Sequence, residues 1–336
     1  MPGIHQALFQ WLPVRLQPRP VRVTDQLLAA EIKGNTLENS NTRRPRPALT
    51  GGLAALAMVL GLAAVPAGAA PPAKLAYVSV GDSYSAGTGA GVANNPGSAC
   101  WQSSPGYVDD VGRTGRVSLV ANAACHGALL SGGSATSVGN QIAALATPTA
   151  GSPTPALNSA TGLVSITAGA NDVGVYQVLS VCATSSSAQC SAAVALSGAA
   201  LPGLRAGLTA TYLGLKQVAP NARIAVLGYP RLFDPANGFP VIPPTNQIIL
   251  NQATDQLNAS IAAAVGASRA AGVDAQFVDV TDRFAGHAAN SRDPWLVLDQ
   301  SNPTADYNFH PTSTGYDEGY KSAIMGSVKP AQLAKK

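Results

Sequence analysis

Ser83, in the stretch Gly81-Asp82-Ser83-Tyr84-Ser85, is the residue of this chain best placed by its neighbours to attack a carbonyl group. It follows the β-like run Leu75-Ala76-Tyr77-Val78-Ser79-Val80 without a break, and a serine at a strand's carboxyl end can present its hydroxyl to a crevice. A serine hydroxyl is a weak nucleophile until a base takes its proton, so the chemistry asks for an imidazole within hydrogen-bond reach. Among the histidines beyond residue 70, which are His126, His287 and His310, the best candidate is His310, in Asn308-Phe309-His310-Pro311-Thr312. Pro311 just inside, with Tyr316 and Tyr320 four apart, predicts a helix whose start holds the imidazole at a fixed angle. Attack on an ester also creates an oxyanion, which needs preorganised donors. The Ser83 N–H, a glycine N–H from another loop and an asparagine side chain can supply three. Hydrolysis by such a pair is expected to rise with pH as His310 loses its proton.

The elements that must hold these groups alternate between strand and helix patterns. Short apolar runs bounded by turn residues mark strands at Leu75 to Val80, Val117 to Ala121, Gly162 to Thr167, Arg223 to Gly228 and Gln276 to Val280. Between them, Leu201, Leu204, Leu208, Leu215 and Val218 recur at helical spacings, as do Ile249, Ala253, Leu257, Ile261 and Val265. Repeated strand, helix, strand units imply right-handed crossovers and a mainly parallel sheet covered on both faces, so residues 74–330 are expected to form one α/β/α sandwich. In such a sheet ligands sit outside the carboxyl ends of the strands, where Ser83 falls after the first strand and Asn171 after the third.

The first 70 residues differ in kind. Residues 1–46 show no sustained period and are expected to be a poorly ordered extension. Arg43-Arg44-Pro45-Arg46 then precedes an uncharged run from Ala48 to Val65, followed by Pro66-Ala67-Gly68-Ala69-Ala70. A basic stretch, an apolar stretch and small residues in that order, spanning 47–70, describe a secretory signal peptide cleaved near Ala69-Ala70. An uncleaved N-terminal membrane anchor is the alternative, since about 18 apolar residues nearly span a bilayer.

The leader also carries the charge. The whole chain has a formal net charge of +4, but seven of the 21 Lys and Arg and three of the 17 Asp and Glu lie in residues 1–70. That leaves 14 of each sign, without a basic footprint for nucleic acid or anionic membrane. All four cysteines, Cys100, Cys125, Cys182 and Cys190, follow the leader, and an even number in an exported chain favours two disulfides in one of three pairings. No CxxC pair is present, so no metal site is expected.

Four blocks taken together extend the reading. Gly81-Asp82-Ser83-Tyr84-Ser85, Cys125-His126-Gly127-Ala128, Gly169-Ala170-Asn171-Asp172 and His310-Pro311 stand in the order and approximate spacing of the SGNH, or GDSL-type, hydrolases. With Gly228-Tyr229-Pro230 after the fourth strand, the chain most resembles the secreted actinobacterial lipase and esterase branch over residues 75–325. The resemblance implies a flavodoxin-like three-layer sandwich, with Ser83 as nucleophile and His310 as general base and later acid. It also implies an oxyanion hole from the Ser83 N–H, the Gly127 N–H and the Asn171 side chain, and the sequential disulfides Cys100–Cys125 and Cys182–Cys190. Catalysis of this type needs no cofactor.

Two departures stand out. The usual last block is Asp-x-x-His, yet Tyr307 lies three residues before His310, and Asp306 falls one position too early. The imidazole is therefore expected to be oriented by the Tyr307 main-chain carbonyl or by Asp306. A third disulfide of the branch is also missing: residues 288–292 hold no cysteine, so the loop before Asp293-Pro294-Trp295 is expected to be held less tightly.

The expected protein is a secreted, monomeric serine esterase or lipase acting on a small-molecule or lipid ester, without nucleic acid or an obligate protein partner. Membrane contact would come only through an uncleaved leader. The alternatives are an acetyl-polysaccharide esterase, whose sugar alcohol would need aromatic platforms such as Trp101 and Trp295, and a catalytically silent cell-wall-binding module on the same fold.

Overall fold

The computed structural model describes residues 73–93 and 100–335, which fall in the compact unit Gly68–Lys336. The extension, the signal peptide or anchor, and the cleavage point expected from the sequence lie outside the described residues.

Five strands form the main sheet: β1 (Leu75–Gly81), β4 (Val117–Asn122), β5 (Thr161–Thr167), β6 (Arg223–Leu227) and β7 (Ala275–Val278). Their order is β4-β1-β5-β6-β7, and every neighbouring pair is parallel. A two-residue antiparallel ribbon, β2 (Val92–Ala93) with β3 (Ser103–Ser104), lies outside the sheet. Counted along the main sheet alone, the order is the flavodoxin-like 2-1-3-4-5, whose switch point lies beside the first strand. The interior strands read as apolar runs because both faces are covered: six of the seven residues of β1 and of β5 are buried, whereas edge strand β4 buries only Val117.

The covering helices follow their periods. Helix α6 (Leu201–Val218) buries Leu204, Leu208, Tyr212 and Leu215, and α7 (Pro244–Ala270) buries Leu250, Leu257, Ile261 and Val265. These faces meet the sheet and one another, producing the expected three-layer α/β/α sandwich. Shorter helices complete the chain: α1 (Ser83–Ala86), α2 (Tyr107–Gly112), α3 (Val138–Leu145), α4 (Val175–Thr184), α5 (Ser187–Gly198), α8 (Ser322–Ser327) and α9 (Pro330–Leu333).

The disulfides join Cys100 to Cys125 and Cys182 to Cys190. The first ties the loop after β4 to the chain entering β3; the second staples α4 to α5.

One local expectation changes. Pro311 does not open a helix: it forms an isolated bridge with Leu296, and the helix starts at Ser313 with the Thr312 hydroxyl accepting the Gly315 N–H at 3.1 Å. The segment Gly315–Lys321 is then π-helical, a widened turn that holds Tyr316 and Tyr320 fully buried. The loop expected to be held less tightly for want of a cysteine makes side-chain contacts of its own. Asn290 Nδ2 donates to the Phe239 carbonyl at 2.9 Å, and its Oδ1 accepts the Asp234 N–H at 2.8 Å. His287 stacks on Trp295 at 3.8 Å.

Candidate active site

Strand β1 ends at Gly81, whose φ of +133° and crowded flank exclude a side chain: a Cβ there would meet the Thr167 carbonyl oxygen at 2.3 Å. The chain thereby turns sharply out of the sheet, and Asp82 becomes the N-cap of the single-turn helix α1, its Oδ1 accepting the Tyr84 N–H at 3.1 Å. Asp82 also accepts the Thr167 hydroxyl at 2.7 Å and the Tyr229 hydroxyl at 2.5 Å, so one carboxyl ties together the ends of β1, β5 and β6. Burial pushes this carboxyl up to about 6, against the pull of those donors. Ser83 follows as the first residue of α1, 7% exposed.

His310 arrives from the far end of the chain. Its Nε2 lies 2.7 Å from Ser83 Oγ, 227 residues away in sequence. Three main-chain bonds fix the segment that carries it: Phe309 N–H to the Val297 carbonyl, Val297 N–H to the His310 carbonyl, and Thr312 N–H to the Trp295 carbonyl, at 2.7, 2.8 and 2.8 Å. A fourth comes from α1, where the Tyr84 hydroxyl donates to the Phe309 carbonyl at 2.6 Å and its ring lies 5.1 Å from the imidazole. The residue after the serine therefore holds the peptide before the histidine.

Two main-chain carbonyls act on the His310 imidazole, that of Asn308 and that of Tyr307, the latter being one of the two groups the sequence suggested. Nδ1 of His310 faces the Asn308 carbonyl at 3.1 Å, while the Tyr307 carbonyl accepts the His310 main-chain N–H at 3.3 Å. The reason is backbone conformation: Phe309 adopts φ +62°, and this left-handed turn brings the Asn308 carbonyl back beneath the ring. Asp306 acts electrostatically on His126 instead. Nδ1 donating to Asn308 leaves the Nε2 lone pair toward Ser83 Oγ.

Burial pushes His310 down to about 3, the neighbouring His126 lowers it further, and the Asn308 and Tyr307 carbonyls oppose both. The imidazole is then neutral across the range in which an ordinary histidine titrates, so the expected rise of activity with pH falls at lower pH than for an ordinary histidine.

The remaining candidate donors stand on separate loops. Gly127 follows β4 with φ +73°, and a Cβ there would meet nothing within 4 Å, so its conformation rather than crowding calls for glycine. Neither its N–H nor that of Ser83 makes a hydrogen bond among the described residues. Asn171 follows β5, and its Nδ2 donates to the Ala128 carbonyl at 3.0 Å, which joins the two loops. Next to it, Asp172 accepts the Leu130 N–H at 3.0 Å and makes the same join a second time.

A model of the GDSL-like lipase/acylhydrolase family matches residues 79–318. The chain belongs to this family. Lipase 1 of Streptomyces coelicolor is 32% identical over 286 residues, covering 83% of this chain and 98% of that lipase. Among solved structures, phospholipase A1 from Streptomyces albidoflavus NA297 superposes with a TM-score of 0.64 at 29% identity, covering 76% of this chain and all of that one. The extracellular lipase of Streptomyces rimosus gives a TM-score of 0.62 at 29% identity, covering 75% of this chain and 98% of that one. This GDSL-like hydrolase is a carboxylic ester hydrolase with the SGNH fold.

Sequence reasoning missed Tyr84, Asn308 and Tyr229 as builders of this GDSL-like site. Tyr84 and Tyr229 did stand inside quoted blocks, but nothing local ties Tyr84 to residue 309 or Tyr229 to Asp82.

Proposed function

We propose that this hydrolase works through an acyl-enzyme in which Ser83 attacks the ester carbonyl as His310 Nε2 takes its proton. The Ser83 N–H, the Gly127 N–H and the Asn171 side chain bind the oxyanion, His310 protonates the departing alcohol, and water then cleaves the acyl-enzyme by the same proton path. The observation that carries the reading is the 2.7 Å contact between Ser83 Oγ and His310 Nε2, with Nδ1 held at 3.1 Å by the Asn308 carbonyl. The base is then a Ser–His dyad oriented by a neutral carbonyl, which stabilises the imidazolium less than a buried carboxylate does.

The substrate is read as a lipid or small-molecule ester hydrolysed outside the cell by a monomer. Two disulfides, near-neutral charge beyond residue 70, and the similarity to Streptomyces lipases and a phospholipase A1 support this. The acetyl-polysaccharide alternative has less support, because Trp295 is stacked on His287 and edged by Phe284 instead of serving as a platform.

An active-serine phosphonate tests the reading. It should label the enzyme at Ser83, and Ser83→Ala should abolish both labelling and hydrolysis of ethyl butyrate. Binding to cell walls without labelling would favour the silent module.

A further inference from the structure

His126 is a second imidazole beside the base. Its ring centroid lies 5.5 Å from that of His310, on the loop that continues into Gly127. Trp101 packs against the same ring at 5.2 Å, and the Cys100–Cys125 disulfide joins the residues directly before this pair, so a covalent link holds tryptophan near histidine. The His126 N–H also donates to the Cys100 carbonyl at 2.9 Å. Such construction is more than an incidental surface histidine needs.

The tautomer follows from hydrogen-bond accounting. Thr88, fully buried, has its hydroxyl 3.2 Å from His126 Nδ1, and that hydroxyl meets no other acceptor among the described residues. A buried hydroxyl proton without an acceptor is costly, so Thr88 donates to Nδ1 and the proton of neutral His126 sits on Nε2. That Nε2–H makes no hydrogen bond among the described residues. Burial lowers the pKa of His126, which keeps the ring neutral near pH 7.

We propose that His126 determines specificity for the leaving alcohol, its Nε2–H donating to a second oxygen that the alcohol carries next to the scissile ester, as in esters of glycerol and other polyols. The inference rests on the Ser83–His310 reading, because His310 delivers its proton to the alcohol and the ring beside it therefore borders the alcohol's side of the cleft. Trp101 supplies the apolar wall against which the carbon chain of the polyol lies.

The test compares glyceryl monobutyrate with ethyl butyrate, which share an acyl group and differ only in the alcohol. In His126→Phe the ratio of kcat/KM for the glyceryl over the ethyl ester should fall about tenfold, the size of one lost substrate hydrogen bond. In His126→Gln, which retains an N–H donor, the ratio should stay within about threefold of wild type. An unchanged ratio in His126→Phe, or equal loss on both esters in both variants, overturns the role of His126. Wild-type turnover of ethyl butyrate and phosphonate labelling of Ser83 report separately on the underlying reading, and their absence would overturn both.

Discussion

Tyr84→Phe is the sharpest perturbation of the site, since it removes one oxygen and keeps the ring. The lost oxygen donates to the Phe309 carbonyl at 2.6 Å, and the retained ring still packs against His310 at 5.1 Å and Tyr229 at 5.2 Å. A part-buried carbonyl left unpaired costs about 1–3 kcal/mol. That carbonyl belongs to Phe309, whose φ of +62° is itself disfavoured by about 1–2 kcal/mol and persists only under constraint. Relaxation of Phe309 would turn the Asn308 carbonyl away from Nδ1 and swing Nε2 off Ser83 Oγ. Misplacement of a reacting group by about 1 Å costs on the order of 100-fold, so kcat should fall about 10- to 100-fold with KM little changed. Stability should drop by about 1–3 kcal/mol, or a few degrees in Tm for a unit of this size. Steady-state kinetics on ethyl butyrate well below the transition, and a separate thermal melt, measure the two effects independently. A variant that melts lower yet keeps kcat within twofold would refute the claim that Tyr84 positions the base.

Other outcomes follow from the same geometry. The kcat/KM of the wild type should stay level from about pH 8 down to about pH 5 and fall only below that, because His310, pushed down to about 3, becomes protonated far later than an ordinary imidazole; an inflection near 6.5 would contradict this. Asp82, pushed up to about 6, holds its proton longer folded than unfolded, so it makes stability decline as pH rises from about 4 to about 6. Asp82→Asn should flatten that component in denaturant melts across this window, and an unchanged slope would show that the carboxyl ionises normally. Gly81→Ala should fold poorly or melt far lower, since the added Cβ meets the Thr167 carbonyl oxygen at 2.3 Å; a wild-type Tm would refute the crowding.

Much of the architecture was legible in the residues because it depends on short-range pattern. Leu75 to Gly81 and Thr161 to Thr167 read as doubly covered strands, and helices α6 and α7 as single apolar stripes, since burial imposes composition on each element separately. Ser83 and His310 stood out as candidates for a related reason, namely that the proposed chemistry requires particular side chains in ordered blocks.

What acts on His310 was settled only by the fold. Asn308 and not Asp306 faces Nδ1, because one left-handed residue, Phe309, redirects a carbonyl, and its φ is held by bonds to Val297 and Tyr84 that no local pattern encodes. The low pKa of the imidazole likewise depends on burial and on His126, which comes from the loop after another strand. The order of residue types pointed to the groups proposed to do chemistry and to the strands that carry them. Their orientation and protonation were decided by contacts across more than 180 residues of chain, because these depend on distance and dielectric in three dimensions rather than on order along the chain.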